Sequence, residues 1–420
     1  MPECGRACGP PSGCSKGSDS IRKISIPISQ IKILAILFFS LFATITGVGI
    51  VVPLLPVYAH QLGAGGLAIG LVFGGFSFSR SMLLPVFGRL SDRRGRKPLI
   101  VAGLLAYTLV SVAFIYSSTV MQLIAVRFIQ GMASAMVMPV VQAYVGDITP
   151  PGKEGLVMGI FNMSMFFGLS LGPVAGGLLN DHFSMQATFI CMGALSLLGF
   201  ALSLGMLPPT RSEAALNRNR SPARWRTIAR DRVVAGIFIY RFCYTAAIGV
   251  IWGFLPVMAD AELGLSSSRI GVLVMLGVFV SGLIQIPMGY LSDRFNRRIM
   301  VAAGGALAGA AVLLYTVAGS FSGLFAAGVL FGLGGGTAMP ALMAVAVIKG
   351  NHIESMGSVM ALLTMGHSLG MMIGALMAGI MMELFSLRGA FGLGSGIVFL
   401  GVAFFYFCTA GKSLGREGAA

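Results

Sequence analysis

The sequence predicts an all-α membrane protein in which twelve spanning helices form two pseudo-symmetric six-helix bundles. Three observations lead to this prediction. Of the 420 residues, 56% are hydrophobic and only 10% are charged, whereas a soluble domain carries about 25% charged residues. Twelve stretches are apolar over the roughly 20 residues that a helix needs to cross a bilayer. A short sequence that follows the second stretch also recurs 201 residues later, after the eighth.

The twelve stretches, called spans 1 to 12, are centred near residues 45, 78, 107, 131, 167, 196, 246, 280, 308, 333, 369 and 398. An even number of spans places both termini on one side of the membrane. The two tails and the even-numbered loops carry 24 of the 29 Lys and Arg residues, and positive residues mark cytoplasmic loops. We therefore expect both termini in the cytoplasm and the protein in a bacterial inner membrane.

The repeat and the polar stretches divide the chain into five parts. These are a cytoplasmic N-terminal tail (1–32), a first bundle (33–207), a cytoplasmic central loop (208–232), a second bundle (233–410) and a cytoplasmic C-terminal tail (411–420). The N-terminal tail lacks the pattern of a cleaved signal peptide, so span 1 is expected to direct insertion. The tail also holds three cysteines whose spacing matches no strong zinc pattern, and a metal site and a reduced tail both stay open. They are Cys4, Cys8 and Cys14.

Several function classes do not fit this sequence. The net charge of +15 could suggest nucleic acid binding, but the basic residues lie in short loops, where they are placed to contact lipid headgroups. Gly411-Lys412-Ser413 resembles the end of a phosphate loop, but Tyr406 stands where its first glycine is required. No zinc-protease sequence, nucleophile elbow or paired catalytic carboxylate occurs in the sequence. We therefore expect no enzymatic activity, no cofactor and no metal site. We expect a monomer whose transport is driven by a proton gradient.

The second half of the chain repeats landmarks of the first. Gly88-Arg-Leu-Ser-Asp-Arg93 recurs as Gly289-Tyr-Leu-Ser-Asp-Arg294, and Gly131 corresponds to Gly332 at the same offset of 201 residues. Two homologous bundles predict halves that rock about a site near the midplane. A duplicated structural or sensor protein would show the same repeat. The motifs are therefore needed to distinguish a transporter from such a protein.

The loop between spans 2 and 3 carries the densest motif, Gly88-Arg-Leu-Ser-Asp-Arg-Arg-Gly-Arg-Lys97. Gly88 allows a neighbouring helix to come close, and Asp92 is expected to make charge-assisted hydrogen bonds with nearby cations. Gly95 suits a turn with positive φ. A solvated basic loop would explain neither the glycines nor Asp92. The defining positions are Gly88, Leu90, Asp92, Arg93, Gly95, Arg96 and Lys97.

This loop resembles the signature of the major facilitator superfamily, which has the form G-x-L-a-D-r-x-G-r-k, with Ser91 at the small position. The resemblance implies a loop that latches the cytoplasmic gate in the outward-facing state. It also implies that Asp147, at the end of span 4, pairs with Arg96.

The second copy of the motif, between spans 8 and 9, departs from this pattern. It keeps Gly289, Asp293 and Arg294, but Asn296 replaces the later glycine and Arg298 replaces the final lysine. We therefore expect a weaker latch in the second half.

Span 4 resembles a second superfamily pattern, l-x-x-x-R-x-x-q-G, through Leu123, Arg127, Gln130 and Gly131. An arginine inside a membrane costs roughly 2.5–3.5 kcal/mol on insertion scales, so Arg127 is expected to face a cavity or a partner. The resemblance implies that this arginine takes part in proton coupling or substrate binding. A structural role, in which it holds carbonyl groups or span 1, stays open.

Span 5 resembles the antiporter motif of drug:proton exchangers, G-x8-G-x3-G-P-x2-G-G. The glycines predict a flat face on which a neighbouring helix packs closely, and the proline predicts a bend. A packing seam of the kind found in any membrane bundle is the plainer interpretation, whereas the resemblance implies an exporter. The matching positions are Gly159, Gly168, Gly172, Pro173, Gly176 and Gly177.

Four ionisable side chains fall inside spans, and such residues are functional candidates. All fourteen acidic residues fall in loops, tails or span ends, so a cationic substrate would find no buried counter-charge. By analogy with the superfamily, spans 1, 4, 7 and 10 line the cavity, which favours Arg127 and Arg241 over Arg80. His367 is a candidate titrating group, and a core histidine bonded to a backbone carbonyl is equally open.

The aromatic and methionine content predicts an adaptable apolar pocket. We expect proton-coupled efflux of small amphipathic compounds, neutral or anionic, by alternating access. Uptake or exchange of an organic anion metabolite is the alternative within this fold, and a non-transporting sensor is the alternative from another class. The predicted substrate or proton path comprises Arg80, Arg127, Gln130, Arg241, Tyr240, Tyr244 and His367, and the predicted lining adds Trp252, Met138 and Met339.

Overall fold

The computed structural model describes residues 28–148, 154–208, 230–353 and 356–410, and it is helical in each of these ranges. Residues 1–27 of the predicted N-terminal tail, with Cys4, Cys8 and Cys14, lie outside the described residues, as do most of the predicted central loop and the predicted C-terminal tail. The long helices are α1 (Ile28–Val51), α2 (Gly66–Arg94), α3 (Arg96–Ile115), α4 (Val120–Ile148), α5 (Glu154–His182), α6 (Met185–Met206), α7 (Arg232–Ala261), α8 (Ser267–Arg294), α9 (Arg297–Val317), α10 (Phe321–His352), α11 (Met356–Leu384) and α12 (Leu387–Cys408).

Span 1 is built from two helical pieces. A short helix, Leu54–Gln61, follows α1 after Val52 and Pro53. Pro53 interrupts the helix because a proline has no backbone N–H to donate to the preceding turn. The two pieces together form one apolar stretch, Lys32–Gln61, which is long enough to cross a membrane.

The predicted fold of twelve helices is confirmed. Within the described residues, eleven helical stretches are long and apolar enough to span a bilayer. The remaining long helix, α5, has 29 residues and several glycines, and it ends in Asn180-Asp181-His182. With α5, the described part of the chain contains twelve long helices.

The two halves repeat the same packing. In the first half, α1 packs against α5 and α6, α2 packs against α4, and α3 packs against α4 and α6. In the second half, α7 packs against α11 and α12, α8 against α10, and α9 against α10 and α12. The halves meet chiefly through α2 with α11 and through α5 with α8. These two pairs are equivalent under the repeat.

The bundle has two ends, and both matter for the site. The tail end is the end at which α1 begins and α12 ends, and the far end is opposite. At the tail end, Arg298 at the start of α9 donates to the carbonyl of Tyr406 near the end of α12. At the far end, Arg388 at the start of α12 forms an ion pair with Glu262, which follows α7. These contacts show that the start of α9 lies beside the end of α12 and that the start of α12 lies beside the end of α7.

Candidate substrate cavity and gates

A central cavity of about 460 Å³ lies between the two halves. Helices α1 to α5 contribute its wall from the first half, and α7, α10 and α11 contribute from the second. Five methionines line it, which suits apolar groups of varied shape because methionine is flexible and polarizable. They are Met138, Met165, Met343, Met360 and Met371, and the polar lining includes Thr44, Tyr107, Ser134, Gln142 and Thr364.

A second cavity, the side cavity, has a volume of about 250 Å³ and adjoins the first. Arg241, Trp252 and His367 line both cavities. Met339 and Tyr244, two of the predicted lining residues, line the side cavity. The two cavities therefore share a wall of basic and aromatic side chains from α7 and α11.

Arg241 and His367 contact each other across α7 and α11. Arg241 Nη2 lies 3.3 Å from His367 Nδ1, and Arg241 Nη1 lies 2.6 Å from the sulfur of Met339. Because arginine only donates hydrogen bonds, this geometry assigns Nδ1 of His367 as the acceptor in a neutral imidazole. The contact is with a side chain rather than with the backbone carbonyl that a core histidine would be expected to bond.

Arg80, on α2, also lines the central cavity. Its Nε atom is buried and has no hydrogen-bond partner in the described part of the chain, and the same holds for Nε of Arg241. Both arginines interact electrostatically with His367. The cavity lining contains no carboxylate among the described residues.

Arg127 does not belong to the lining of either cavity within the described residues, although the sequence favoured it over Arg80. Its side chain donates to Gln130 Oε1 at 2.7 Å and to the carbonyl oxygen of Val72 at 3.2 Å. Its guanidinium also lies 4.6 Å from the ring centroid of Phe76, which lines the cavity. These contacts match the structural alternative, because α4 turns this arginine toward α2.

Tyr240 is placed differently from the prediction. It is buried in the second half, where its ring stacks on Tyr244 at 6.3 Å and meets Phe405 at 5.7 Å. It lines neither of the two described cavities. The helical period explains the difference, since α7 presents Arg241 and Tyr244 to the cavities and Tyr240 to α12.

At the far end, glycines bring the two halves into backbone contact. A Cβ atom on Gly66 of α2 would overlap the carbonyl oxygen of Gly379 of α11, and one on Gly70 would lie 2.7 Å from the carbonyl oxygen of Ala375. The equivalent pair of helices repeats the arrangement, because a Cβ on Gly177 of α5 would overlap the carbonyl oxygen of Ser267 on α8. No larger side chain fits at these positions without moving the halves apart.

Two carboxylates reinforce this closure. Asp181, at the end of α5, accepts hydrogen bonds from the backbone N–H groups of Ser267 at 2.9 Å and Ser268 at 2.8 Å, at the start of α8. Glu383, at the end of α11, accepts from the N–H of Leu67 at 2.9 Å, at the start of α2. The first N–H groups of a helix lack intrahelical partners and carry partial positive charge. The sequence analysis missed this pair, although an offset of 202 residues relates the two carboxylates.

The glycines of α5 pack as its motif predicts. A Cβ on Gly172 would lie 2.8 Å from the Cα of Gly49 on α1, and one on Gly176 would overlap the carbonyl oxygen of Ile50. Gly168 lies against Ile45 of the same helix. Pro173 contributes to the other interface, because its carbonyl oxygen blocks any Cβ on Gly271 of α8. The surroundings of Gly159 lie outside the described residues.

At the tail end, the first copy of the loop motif braces its own half. Arg96 Nε donates to Asp147 Oδ2 at 3.0 Å, the pairing that the resemblance implied. Arg96 Nη1 donates to Ser91 Oγ at 2.5 Å. Gly95 has a φ of +88°, as predicted for the turn between α2 and α3. Leu90 is partly buried against the core, Lys97 is half-buried, and the side chains of Asp92 and Arg93 lie outside the described part of the structure.

Gly88 does not make the close helix contact that was expected of it. A Cβ on Gly88 would meet no described atom within 4 Å, and one on its counterpart Gly289 would only touch Pro340 at 4.0 Å. Both glycines lie near the tail end of their helices, where the described residues leave space around them.

The second copy of the motif makes other contacts. Asn296 accepts a hydrogen bond from the N–H of Arg298 at the start of α9, as a helix N-cap does. Arg298 lies over the ring of Tyr406, with the guanidinium carbon 3.7 Å from the centroid. Arg294 lies over the ring of its own-helix neighbour Tyr290 at 4.3 Å. The side chain of Asp293 lies outside the described part of the structure.

A further ion pair joins two helices of the second half at the tail end. Lys349 Nζ of α10 lies 2.7 Å from Oδ2 of Asp231, which caps the start of α7. Partial burial by itself raises the pKa of the Asp231 carboxyl. The hydrogen bond and charge of Lys349, with the N–H groups of Val233 and Val234, outweigh this effect and hold the pKa below its usual value.

The chain is similar to known proteins over most of its length. The model of the family described as Major Facilitator Superfamily matches residues 37–256 and 237–419. An uncharacterized MFS-type transporter of Methanocaldococcus jannaschii is 28% identical over 364 residues, which are 85% of this chain and 92% of that protein. Multidrug resistance protein 1 of Bacillus subtilis is 28% identical over 268 residues, which are 63% of this chain and 67% of that protein.

A solved structure shares the fold. It is described as a bacterial homolog of the human lysosomal transporter Spinster in an inward-facing and unoccupied conformation. The similarity has a TM-score of 0.79 and 13% sequence identity, and it covers 92% of this chain and 98% of the other.

Proposed function

This chain belongs to the major facilitator superfamily, and from that membership we propose that it exports small amphipathic compounds in exchange for protons by alternating access. The observation that carries the proposal is the central cavity, which both halves line and which contacts between the halves close at the far end. A binding site between two repeated bundles is what a transporter that rocks its halves requires.

We propose that the tail end faces the cytoplasm of a bacterial cell and that the halves, residues 33–207 and 233–410, move as two bodies. The distribution of 24 of the 29 Lys and Arg residues supports this orientation. With the far end closed, the conformation is inward-facing. The space around Gly88 and Gly289 fits this assignment, because a glycine that serves a gate contact has open surroundings while that gate is open.

Export is supported by α5 and by one relative. The α5 glycines pack on α1, and Pro173 and Gly177 contact α8 of the other half, so the motif lies where the halves hinge against each other. Multidrug resistance protein 1 of Bacillus subtilis, by its name, confers resistance to several drugs. We therefore place the chain among the drug:proton antiporters of the superfamily.

The lining supports neutral or anionic substrates with an apolar body. Five methionines and Trp252 offer an adaptable apolar surface, while the charged lining residues of the central cavity are basic in the described part of the chain. A cationic compound would find no carboxylate there to replace its lost hydration.

His367 is our candidate for the proton carrier. It lines both cavities, and its Nδ1 atom accepts from Arg241 only while that nitrogen is unprotonated. A proton on Nδ1 breaks this contact between α7 and α11, so protonation and helix packing are linked at the cavity. Arg127, packed behind Phe76, acts in this proposal as a positioning residue.

The test is flux in vesicles that contain the purified protein, with the pH inside and outside set independently. Pooled anionic, neutral and cationic amphipathic compounds are offered, and proton movement is followed with a pH-sensitive dye. We expect one pool to move against the proton flow and to stop when the gradient is collapsed. His367→Gln should retain substrate exchange while losing proton movement, and Arg230→Gln, at an exposed arginine before α7, serves as the control.

Two outcomes would overturn the proposal. Substrate movement that is unchanged when the gradient is collapsed would exclude proton antiport. Accumulation of an organic anion together with protons would favour the alternative of uptake. Uptake of an organic anion would use the same basic cavity. The direction of flux therefore distinguishes uptake from export.

A further inference from the structure

Two arginines from opposite halves line one cavity, and each has a buried donor that no described residue satisfies. Arg80 comes from α2 and Arg241 from α7, and both line the central cavity. In each, the Nε atom is buried and has no hydrogen-bond partner among the described residues. A buried donor without a partner costs about 1–3 kcal/mol, and more when the group is charged. Such groups are few in native proteins, and each calls for an explanation, such as a functional role or a bound water or ion.

Among the described residues, the lining of the central cavity gives these arginines no counter-charge. The other ionisable lining residues of the central cavity are Tyr107 and His367, and neither supplies a negative charge at neutral pH. Arg127 shows what a structural arginine looks like in the same fold, because it donates to Gln130 and to a backbone carbonyl and packs over two aromatic rings. Arg80 and Arg241 lack that set of partners.

We propose that Arg80 and Arg241 form a clamp for the carboxylate of an amphipathic organic acid, which bridges the two halves. A guanidinium presents its donors in a plane that matches a carboxylate, and it is always charged. Met339 and His367 each contact one Nη atom of Arg241 and hold the side chain at the cavity wall, and the buried Nε is its donor without a partner among the described residues.

The apolar body of the acid then rests on the methionines and on Trp252. This inference rests on the proposed function and names its substrate class as carboxylic acids rather than neutral compounds. Because one clamp residue belongs to each half, the bound anion also ties the halves together, and rocking carries it across the membrane.

Trp252 provides a direct readout of binding. The chain has two tryptophans, so Trp225→Phe leaves Trp252 as the single reporter in the cavity wall. The probes are 4-tert-butylbenzoate and its neutral isostere 4-tert-butylbenzamide, titrated at pH 8 into protein in phosphatidylcholine vesicles. We expect the carboxylate to bind about 10- to 100-fold more tightly than the amide, as for hydrogen bonds to a charged group.

Variants of the two clamp arginines distinguish binding that depends on their charge from binding that depends on packing in the cavity. Arg80→Gln and Arg241→Gln should each remove most of this preference while leaving amide binding within about twofold. Arg230→Gln, which removes an exposed arginine outside the cavity, should change neither affinity. If a clamp variant does not fold, Arg80→Lys and the unchanged chain still test the inference, since the preference for the carboxylate over the amide is measured there.

The outcomes are distinct from those of the flux experiment. Equal affinity for carboxylate and amide in the unchanged cavity would refute the clamp, even if neutral compounds are exported. Tight carboxylate binding without any flux would leave the clamp standing and refute the transport proposal. Loss of benzoate binding when phosphatidylglycerol is added would mean that a lipid phosphate occupies the clamp, which would overturn the assignment to organic acids.

Discussion

The two ends of the bundle differ in what their polar contacts join. At the far end, described hydrogen bonds cross from one half to the other, as from Ser267 and Ser268 to Asp181 and from Leu67 to Glu383. At the tail end, the described ion pairs join helices of the same half, as between Arg96 and Asp147 or between Lys349 and Asp231. The far end is thus held shut, and each half is braced separately at the tail end.

In the proposed transport cycle, the repeated sequence would serve two unlike gates. The far-end gate depends on glycines that let backbones touch, and these occur at equivalent places in α2 and α8. The charged loop motif lies at the other end, where its Arg96 and Asp147 stabilise one half. In the proposed transport cycle, the latch that the family resemblance implies would form when the tail end closes.

The largest expected difference between the two ends is in the effect on stability of replacing Gly70 or Gly88, which lie on the same helix, α2. Gly70→Ala places a Cβ 2.7 Å from the carbonyl oxygen of Ala375, and overpacking of this kind costs about 1–3 kcal/mol. Gly88→Ala meets open space, and alanine favours a helix by about 1 kcal/mol over glycine. Thermal unfolding in detergent should show a lower Tm for the first variant and an equal or higher Tm for the second.

Transport flux should respond to Gly88→Ala in the opposite direction from Tm. If Gly88 contacts the other half when the tail end closes, Gly88→Ala lowers flux without lowering Tm. A Gly70→Ala variant with unchanged Tm would show that the far-end contact is not tight, and the comparison of the two ends would fail.

The second effect concerns the far-end carboxylates. Asp181→Asn with Glu383→Gln removes two charges from helix N-termini, and each exposed interaction contributes about 0.3–1 kcal/mol. We expect the far end to open in part. Spin labels at Leu67 and Leu384, in a background without native cysteines, should report a longer or broader distance distribution. An unchanged distribution in the double variant would mean that the glycine contacts alone hold this end shut.

A smaller effect is expected at the loop motif, and it should be larger in the first half. Arg96 is 6% exposed and Asp147 30% exposed, so Arg96→Ala should cost about 1–2 kcal/mol. Arg298 makes exposed contacts with Tyr406, and Arg298→Ala should cost about 0.5 kcal/mol or less. Chemical unfolding of the two variants measures the difference, and equal losses would contradict the prediction of a weaker second copy.

The smallest effect is the pH dependence of the Asp231 ion pair. Since the pKa of Asp231 is held below its usual value, this carboxyl stabilises the folded chain above its unfolded pKa of about 3.9. The contribution is lost as the pH falls through the lower folded value. Lys349→Met should therefore reduce Tm slightly at pH 7, and this reduction should become smaller as the pH falls toward 3. A larger loss of Tm at pH 3 than at pH 7 would contradict the predicted direction of the pH dependence.

Much of the architecture follows from the sequence, because its signals are local. Hydropathy marks the helices, and the repeat of 201 residues pairs α2 with α8. The glycines of α5 were also predicted to form a packing face, since small residues at fixed spacing allow close approach whatever the neighbour is. The prediction that Arg96 contacts Asp147 rested on the family resemblance rather than on the residues alone.

The cavity was harder to predict. The sequence placed Arg80, Arg127 and Arg241 inside spans but ranked Arg127 above Arg80, and it included Tyr240 among the lining residues. A helical period shows which residues share a face, but not which neighbour that face meets. In the structure, Arg127 turns toward α2 and Tyr240 toward α12, while Arg80 lines the cavity.

By itself, then, the sequence determined that this protein is a bundle of two repeated six-helix halves with basic groups and no carboxylates inside its spans. These properties depend on which residues occur and at what spacing. Only the tertiary structure decided that Arg80 and Arg241 share one cavity and that Asp181 and Glu383 close the far end. Those facts depend on how each helix is rotated and tilted against the others, and packing over the whole bundle sets that rotation.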